Sequence, residues 1–118
     1  MTRKQAVELY SVLKTLRNGN MSKEGLTDYI LMRLKLKQVF DEFERARAEI
    51  SEQTKSDSPE EWQHSFMSVI EKWLSETEEI DTHVISQEDF IEMVSKNELT
   101  GIIEDNLYKD LVNEKNKN

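Results

Sequence analysis

The sequence predicts an all-α fold of about five helices, in which an N-terminal antiparallel helical hairpin with a long second helix packs against three shorter C-terminal helices. Three observations carry this. The 118 residues hold only three Gly and one Pro, so little interrupts helix formation. Apolar residues recur at alternating spacings of three and four, the period of a helix with one buried face. Each such run follows a residue suited to capping a helix start: Thr2, Ser22, Ser58, Ser86 or Thr100. The expected organisation is a hairpin over 1–55, a three-helix lobe over 56–113 and a polar tail over 114–118, with hairpin and lobe sharing one core.

Thr2 and Gln5 have the form of a capping box, and Ala6, Leu9, Leu13 and Leu16 then share one face. Asn18-Gly19-Asn20 tolerates the left-handed conformation that closes helices, which predicts a first helix from about Thr2 to Arg17. From Ser22 to Thr54 no proline occurs, and Gly25 falls in the first turn. Tyr29, Leu36, Phe43 and Ile50 form an unbroken heptad series, with Leu26, Arg33, Phe40 and Arg47 as its companion. In the third segment Ser58, Pro59 and Glu61 supply cap, first-position proline and first-turn acid, and Trp62, Phe66, Val69, Ile70, Trp73 and Leu74 follow at helical spacing. That helix is expected near Pro59–Thr77. The β-branched run Ile80–Ile85 reads as an extended connector. Ser86 then caps a short helix with Ile85 and Phe90 as its hydrophobic staple, and Thr100 caps a last one carrying Ile103, Leu107 and Leu111.

A second helix continuous from Ser22 to Thr54 spans about 50 Å at 1.5 Å per residue, whereas a domain of this size has a radius of gyration of roughly 13–14 Å. The first helix covers only its first half, so Phe40, Phe43 and Ile50 must pack against the C-terminal helices or against a second chain. Burial of one Phe is worth about 1.5–3 kcal/mol, too much to forgo in a marginally stable protein. Arg33 and Arg47 interrupt the apolar face and call for carboxylate partners. Arg33, Phe40, Phe43, Arg47 and Ile50 are therefore the candidate interaction residues, setting the register of docked helices or of a homo-oligomer formed through the second helix.

Charge is unevenly placed. The chain carries 16 basic and 24 acidic side chains, a net charge of −8. Residues 1–55 are mildly basic and 56–118 strongly acidic, which favours attraction between the halves or between neighbouring copies. With no Cys there is no disulfide framework, thiolate metal site or cysteine nucleophile. No apolar run approaches a membrane span and the N-terminus shows no signal-peptide pattern, so the expectation is a cytoplasmic protein without membrane contact.

The chemistry-bearing signals are sparse. Glu61-Trp62-Gln63-His64 has the E-x-x-H spacing of bundle di-iron sites, but such a site needs two copies and two further glutamates. His64 also lies about 200° around the helix from Trp62, away from the apolar face. His83 stands alone in the connector. The Glu76–Asp81 region lacks the alternating oxygens and central glycine of a calcium loop, and Gly19, Gly25 and Gly101 are too scattered for a phosphate cradle. No metal, cofactor or catalytic residue is assigned, and no enzyme is expected. The last two helices resemble a helix-turn-helix in outline, but Glu104, Asp105 and Asp110 against Lys109 oppose a phosphate backbone. The basic alternative, Arg33, Lys35 and Lys37, flanks Leu34 and Leu36.

The run Leu9–Leu16 with Asn18-Gly19-Asn20 and the charged helix Tyr29–Glu52 resembles the leading hairpin of small acidic all-helical proteins of unknown role encoded in prophages and phage gene clusters. Ile85–Phe90 through Asn97–Thr100 is similar to their closing pair of short helices. The resemblance implies an all-helical fold and carries no functional residues. The expected function is a non-enzymatic protein–protein interaction or assembly module, with a phage accessory factor as its setting. The first alternative is a nucleic-acid-related protein that binds through the basic N-terminal face or mimics DNA through the acidic half. The second is an enzyme using clustered carboxylates with metal.

Overall fold

Five helices follow one another in the computed structural model, which describes residues 1–113: α1 (Arg3–Leu13), α2 (Lys23–Gln53), α3 (Pro59–Ser75), α4 (Gln87–Ser95) and α5 (Gly101–Leu111). The expected tail over 114–118 lies outside the described residues. No strand occurs among the described residues; two isolated bridges, Thr2 with Thr77 and Ile85 with Val112, tie segments that flank the helices. The capping signals work as their chemistry requires. Thr2 N–H donates to Gln5 Oε1 at 2.9 Å while Gln5 N–H donates to Thr2 Oγ1 at 3.1 Å, a reciprocal box. The hydroxyls of Ser22, Ser58, Ser86 and Thr100 accept from the amides of Gly25, Glu61, Asp89 and Ile103. Each satisfies one of the orphan donors at a helix start.

One expectation needs correction. The first helix stops at Leu13, not near Arg17, because Thr15 and Leu16 donate to carbonyls three residues back and the chain then leaves the helix. Asn97 holds the departing segment: its Oδ1 accepts from Arg17 N–H at 2.9 Å and its Nδ2 donates to Arg17 O at 2.8 Å and to Met93 O at 2.7 Å. Gly19, at φ +69, approaches so closely that a Cβ would lie 2.9 Å from the Glu92 carbonyl. The chain forms two compact units. One unit comprises Met1–Ser11 with Leu36–Glu79, and the other comprises Val12–Lys35 with the segment from Ile80 onward. The Ser56–Pro59 punctuation is a hairpin turn between α2 and α3 inside the first unit.

In the first unit α1 runs alongside the second half of α2, with Tyr10 on Phe40 at 5.1 Å between ring centroids. Ala6, Leu9, Tyr10, Leu36, Val39, Ile50 and Ile70 are buried there. The α2 heptad series is completed by Phe43, which meets Trp73 of α3 at 5.9 Å. The N-terminus is strapped to the segment after α3. Arg3 N–H donates to Glu76 O and Glu78 N–H to Met1 O, both at 2.8 Å. The Arg3 guanidinium pairs with Glu76 at 2.7 Å and Glu78 at 2.9 Å, and lies 4.3 Å from the Trp73 ring.

In the second unit Leu13, Tyr29, Met32, Ile85, Phe90, Met93, Leu107, Leu111 and Val112 are buried. Phe90 meets Tyr108 edge to face at 5.4 Å, joining α4 to α5. The connector is extended as expected and docks on the end of α5: Ile85 N–H donates to Leu111 O at 3.1 Å and Asn113 N–H to Ile85 O at 2.9 Å. Lys14 O lies 3.5 Å from the Arg33 guanidinium. With Tyr10 on Phe40 further along, rising residue numbers in α1 meet falling ones in α2, which is the antiparallel hairpin.

Candidate functional site

The outer end of α2 and the start of α3 form an open groove of about 570 Å³. The chain builds it from a short turn. α2 ends at Gln53, Ser58 caps α3, and Pro59 takes the first helical position, where its missing N–H costs nothing. This brings Trp62 back onto α2, where its indole Nε1–H donates to Ser51 O at 2.9 Å. That carbonyl lies in the last turn of a helix and would otherwise lack an intrahelical donor, since Lys55 N–H turns to Glu52 O. The hydrogen bond fixes the indole plane.

Pro59, Trp62, Gln63 and Phe66 line the α3 side, and Glu44, Arg47, Ala48 and Ser51 line the α2 side. Trp62 and Phe66 are half-buried, which leaves aromatic surface open in a groove set on two helices. Arg47 and Glu44 pair with each other at 2.6 Å, and the Arg47 guanidinium lies 5.7 Å from the Phe43 ring. The one ion pair in the lining is thus internally satisfied. The rest offers apolar surface, a hydroxyl and an amide: material for holding a side chain, not for moving protons.

The sequence-predicted residues are only partly gathered here. Arg47 lines the groove. Ile50 is buried, while Phe40, on Tyr10, and Phe43, on Trp73, are half-buried by the chain itself. Arg33 belongs to the other unit, beside Tyr29 and the Lys14 carbonyl. Neither arginine's described hydrogen bond goes to a carboxylate of the acidic half: Arg47 uses Glu44 of its own helix and Arg33 a carbonyl. Among the described ion pairs, the one that reaches the acidic segment is made by Arg3, which sequence reasoning passed over. Pro59, Trp62 and Phe66 were visible as the bulkiest apolar face, but nothing in their spacing says which part of that face stays open.

Elsewhere, no group of three or more His, Cys, Asp or Glu side chains among the described residues is placed to hold a metal ion. His64 is exposed on α3. His83 bonds through Nε2 to Lys109 O at 2.8 Å, at the C-terminal end of α5. Beside it, burial pushes the Asp110 carboxyl above its ordinary value, with the charges of His83 and Lys109 opposing. Burial likewise pushes the Tyr29 phenol up, against the nearby Arg33 guanidinium. No helix among the described residues is long and apolar enough to cross a membrane. Comparison with protein-family models, with curated proteins and with solved structures finds no match.

Proposed function

We propose that this chain is a non-enzymatic protein–protein interaction module, and that it docks an amphipathic helix in the groove between α2 and α3. The observation that carries this is the pair of half-buried aromatic side chains, Trp62 and Phe66, held open in a groove lined mostly by apolar atoms. Binding hot spots are enriched in tryptophan that becomes desolvated in a pocket, and helix-in-groove docking needs such an anchor position. Two features support preorganisation: both walls are helices, and the Trp62 ring is pinned by its bond to Ser51 O.

Charge selects the partner. The stretch Glu44–Phe66, which forms both walls and the turn, carries six carboxylates against three Lys and Arg. The fitting partner is a helix with apolar anchors and a cationic border, since opposite charge speeds encounter and suppresses wrong pairings. A cytoplasmic location suits a chain without cysteine. A phage accessory factor is one setting for such a module, on the strength of the sequence resemblance alone.

The test uses an amphipathic Leu/Lys peptide about 15 residues long, near the length at which isolated helices become stable. It is titrated into the Trp73→Phe variant, so that Trp62 alone reports. The expected result is a saturable blue shift of Trp62 emission that the groove-filling Ala48→Arg variant abolishes. Emission unchanged by the peptide, or a shift that persists in Ala48→Arg, overturns the proposal.

A further inference from the structure

Resting on the docking-groove reading above, we infer that the occupant of the groove is a second copy of this chain, which presents the exposed stripe Ile30, Leu31 and Leu34 of α2. These three side chains retain 43%, 54% and 53% of their surface, although Tyr29, Met32 and Leu36 on the other side of the same helix are fully or almost fully buried. Residues 30, 31 and 34 lie within one face at about 100° per residue, with Thr27 and Gln38 extending it in both directions. Grouped apolar exposure of this kind on a helix marks an interaction surface more often than single exposed residues do.

Charge complementarity points to the pairing. The stretch that carries the stripe, Val12–Lys35, holds five Lys and Arg against two carboxylates, while the groove stretch Glu44–Phe66 holds six carboxylates against three Lys and Arg. The stripe lies in a stretch of net positive charge and the groove in a stretch of net negative charge. Like-for-like pairing of either surface would set like charge against like.

The contact is heterologous: a groove on one copy takes a stripe on the next, leaving one of each free at the ends of any open assembly. Three side chains in a groove of this size fall below the ~800 Å² per partner of a standard stable interface, so association is weak and depends on concentration.

The experiment measures solution mass by sedimentation over roughly 10 μM to 1 mM, a range suited to weak association. It compares the full chain, Ala48→Arg with the groove filled, and Leu34→Glu with the stripe charged. Both substituted positions are exposed, and circular dichroism confirms that each variant keeps its helices. The wild-type chain is expected to gain mass with concentration, less so at high salt, and each variant alone to stay monomeric. Mixed, the two variants are expected to form a 1:1 heterodimer, because one keeps an intact stripe and the other an intact groove. A wild-type chain that stays monomeric throughout, a mixture that stays monomeric, or a variant that self-associates overturns self-docking. A monomeric wild-type chain that still binds the Leu/Lys peptide overturns only this inference, whereas loss of both signals overturns the groove as a docking site as well.

Discussion

Asp89 shows how much can hang on one side chain. Its buried carboxylate accepts from Ser22 N–H and Ser22 Oγ–H, both at 2.7 Å, while Ser22 Oγ also accepts from Gly25 N–H and so caps α2. A first-turn residue of α4 thereby secures the start of α2, and both helix N-termini gain from the negative charge. The sequence marked Ser22 and Ser86 as caps. It could not show that the carboxylate turns to a hydroxyl 67 residues away, because local signals end within a few residues. Gly25 is part of the same device: a Cβ there would stand 2.0 Å from Asp89 Oδ2. Gly25→Ala should therefore displace the carboxylate and cost about 2–4 kcal/mol, read as a lower urea midpoint, although alanine is the better helix former. A neutral or stabilising result would show that the carboxylate relocates freely. At Asp110 the effect has the opposite sign. Its carboxyl, raised by burial, holds its proton to higher pH in the native than in the unfolded state. Stability through this group falls as pH rises from the ordinary carboxylate range to the raised value, and the charge remains a cost above that window. Asp110→Asn should gain roughly a few tenths of a kcal/mol at neutral pH, discounted for its partial exposure. The gain should vanish in acid, where both states are protonated, and a pH series of urea melts checks it.

At the scale of the elements, helix starts were legible and helix ends less so. Every start carries its own side-chain acceptor within three residues, a local signal that the structure reproduces hydrogen bond by hydrogen bond. The end of α1 depends instead on Asn97, which bonds both the N–H and the C=O of Arg17 from 80 residues away, much as a neighbouring strand would. Periodicity alone ran the helix on to Arg17, because Leu16 continues the apolar face. Asn97→Ala leaves both Arg17 groups to solvent and removes the bond to Met93 O. Its expected cost is about 1–3 kcal/mol, and hydrogen exchange should show the Arg17 amide exchanging far faster while amides in the centre of α2 keep their protection. The groove follows the same rule. Its turn chemistry, Ser58 and Pro59, was readable. Its open aromatic face depends on how far α2 and α3 cover each other, which no spacing along one helix encodes.

The whole molecule departs most from the sequence-level division, for a reason that bears on its stability. The chain passes from one unit to the other at 11/12, 35/36 and 79/80, and the first two of these passages lie inside α1 and α2. The Ser-Asp-Ser-Pro break at 56–59 looks like a boundary because linkers share its composition, but here it serves a hairpin, whereas two of the three passages fall within unbroken helix. Tyr29 and Met32 of α2 are core residues of one unit, and Leu36, Val39 and Ile50 of the same helix are core residues of the other. Helical order propagates residue by residue after a costly nucleation, so melting half of α2 removes support from the half that follows. Separate unfolding of the units would require ending two helices in mid-run, each new end exposing backbone groups that are now paired. Both units should therefore unfold in one transition. Trp62 and Trp73 both belong to the first unit, so their emission reports on it alone, while far-ultraviolet circular dichroism reports on all five helices. The two urea curves are expected to superimpose. Lys35→Pro, in the interior of α2 beside the 35/36 passage, should cost about 3 kcal/mol or more and lower both curves together. Dichroism and emission midpoints that separate, in the wild-type chain or in that variant, would mean that each unit holds its half of α2 without the other.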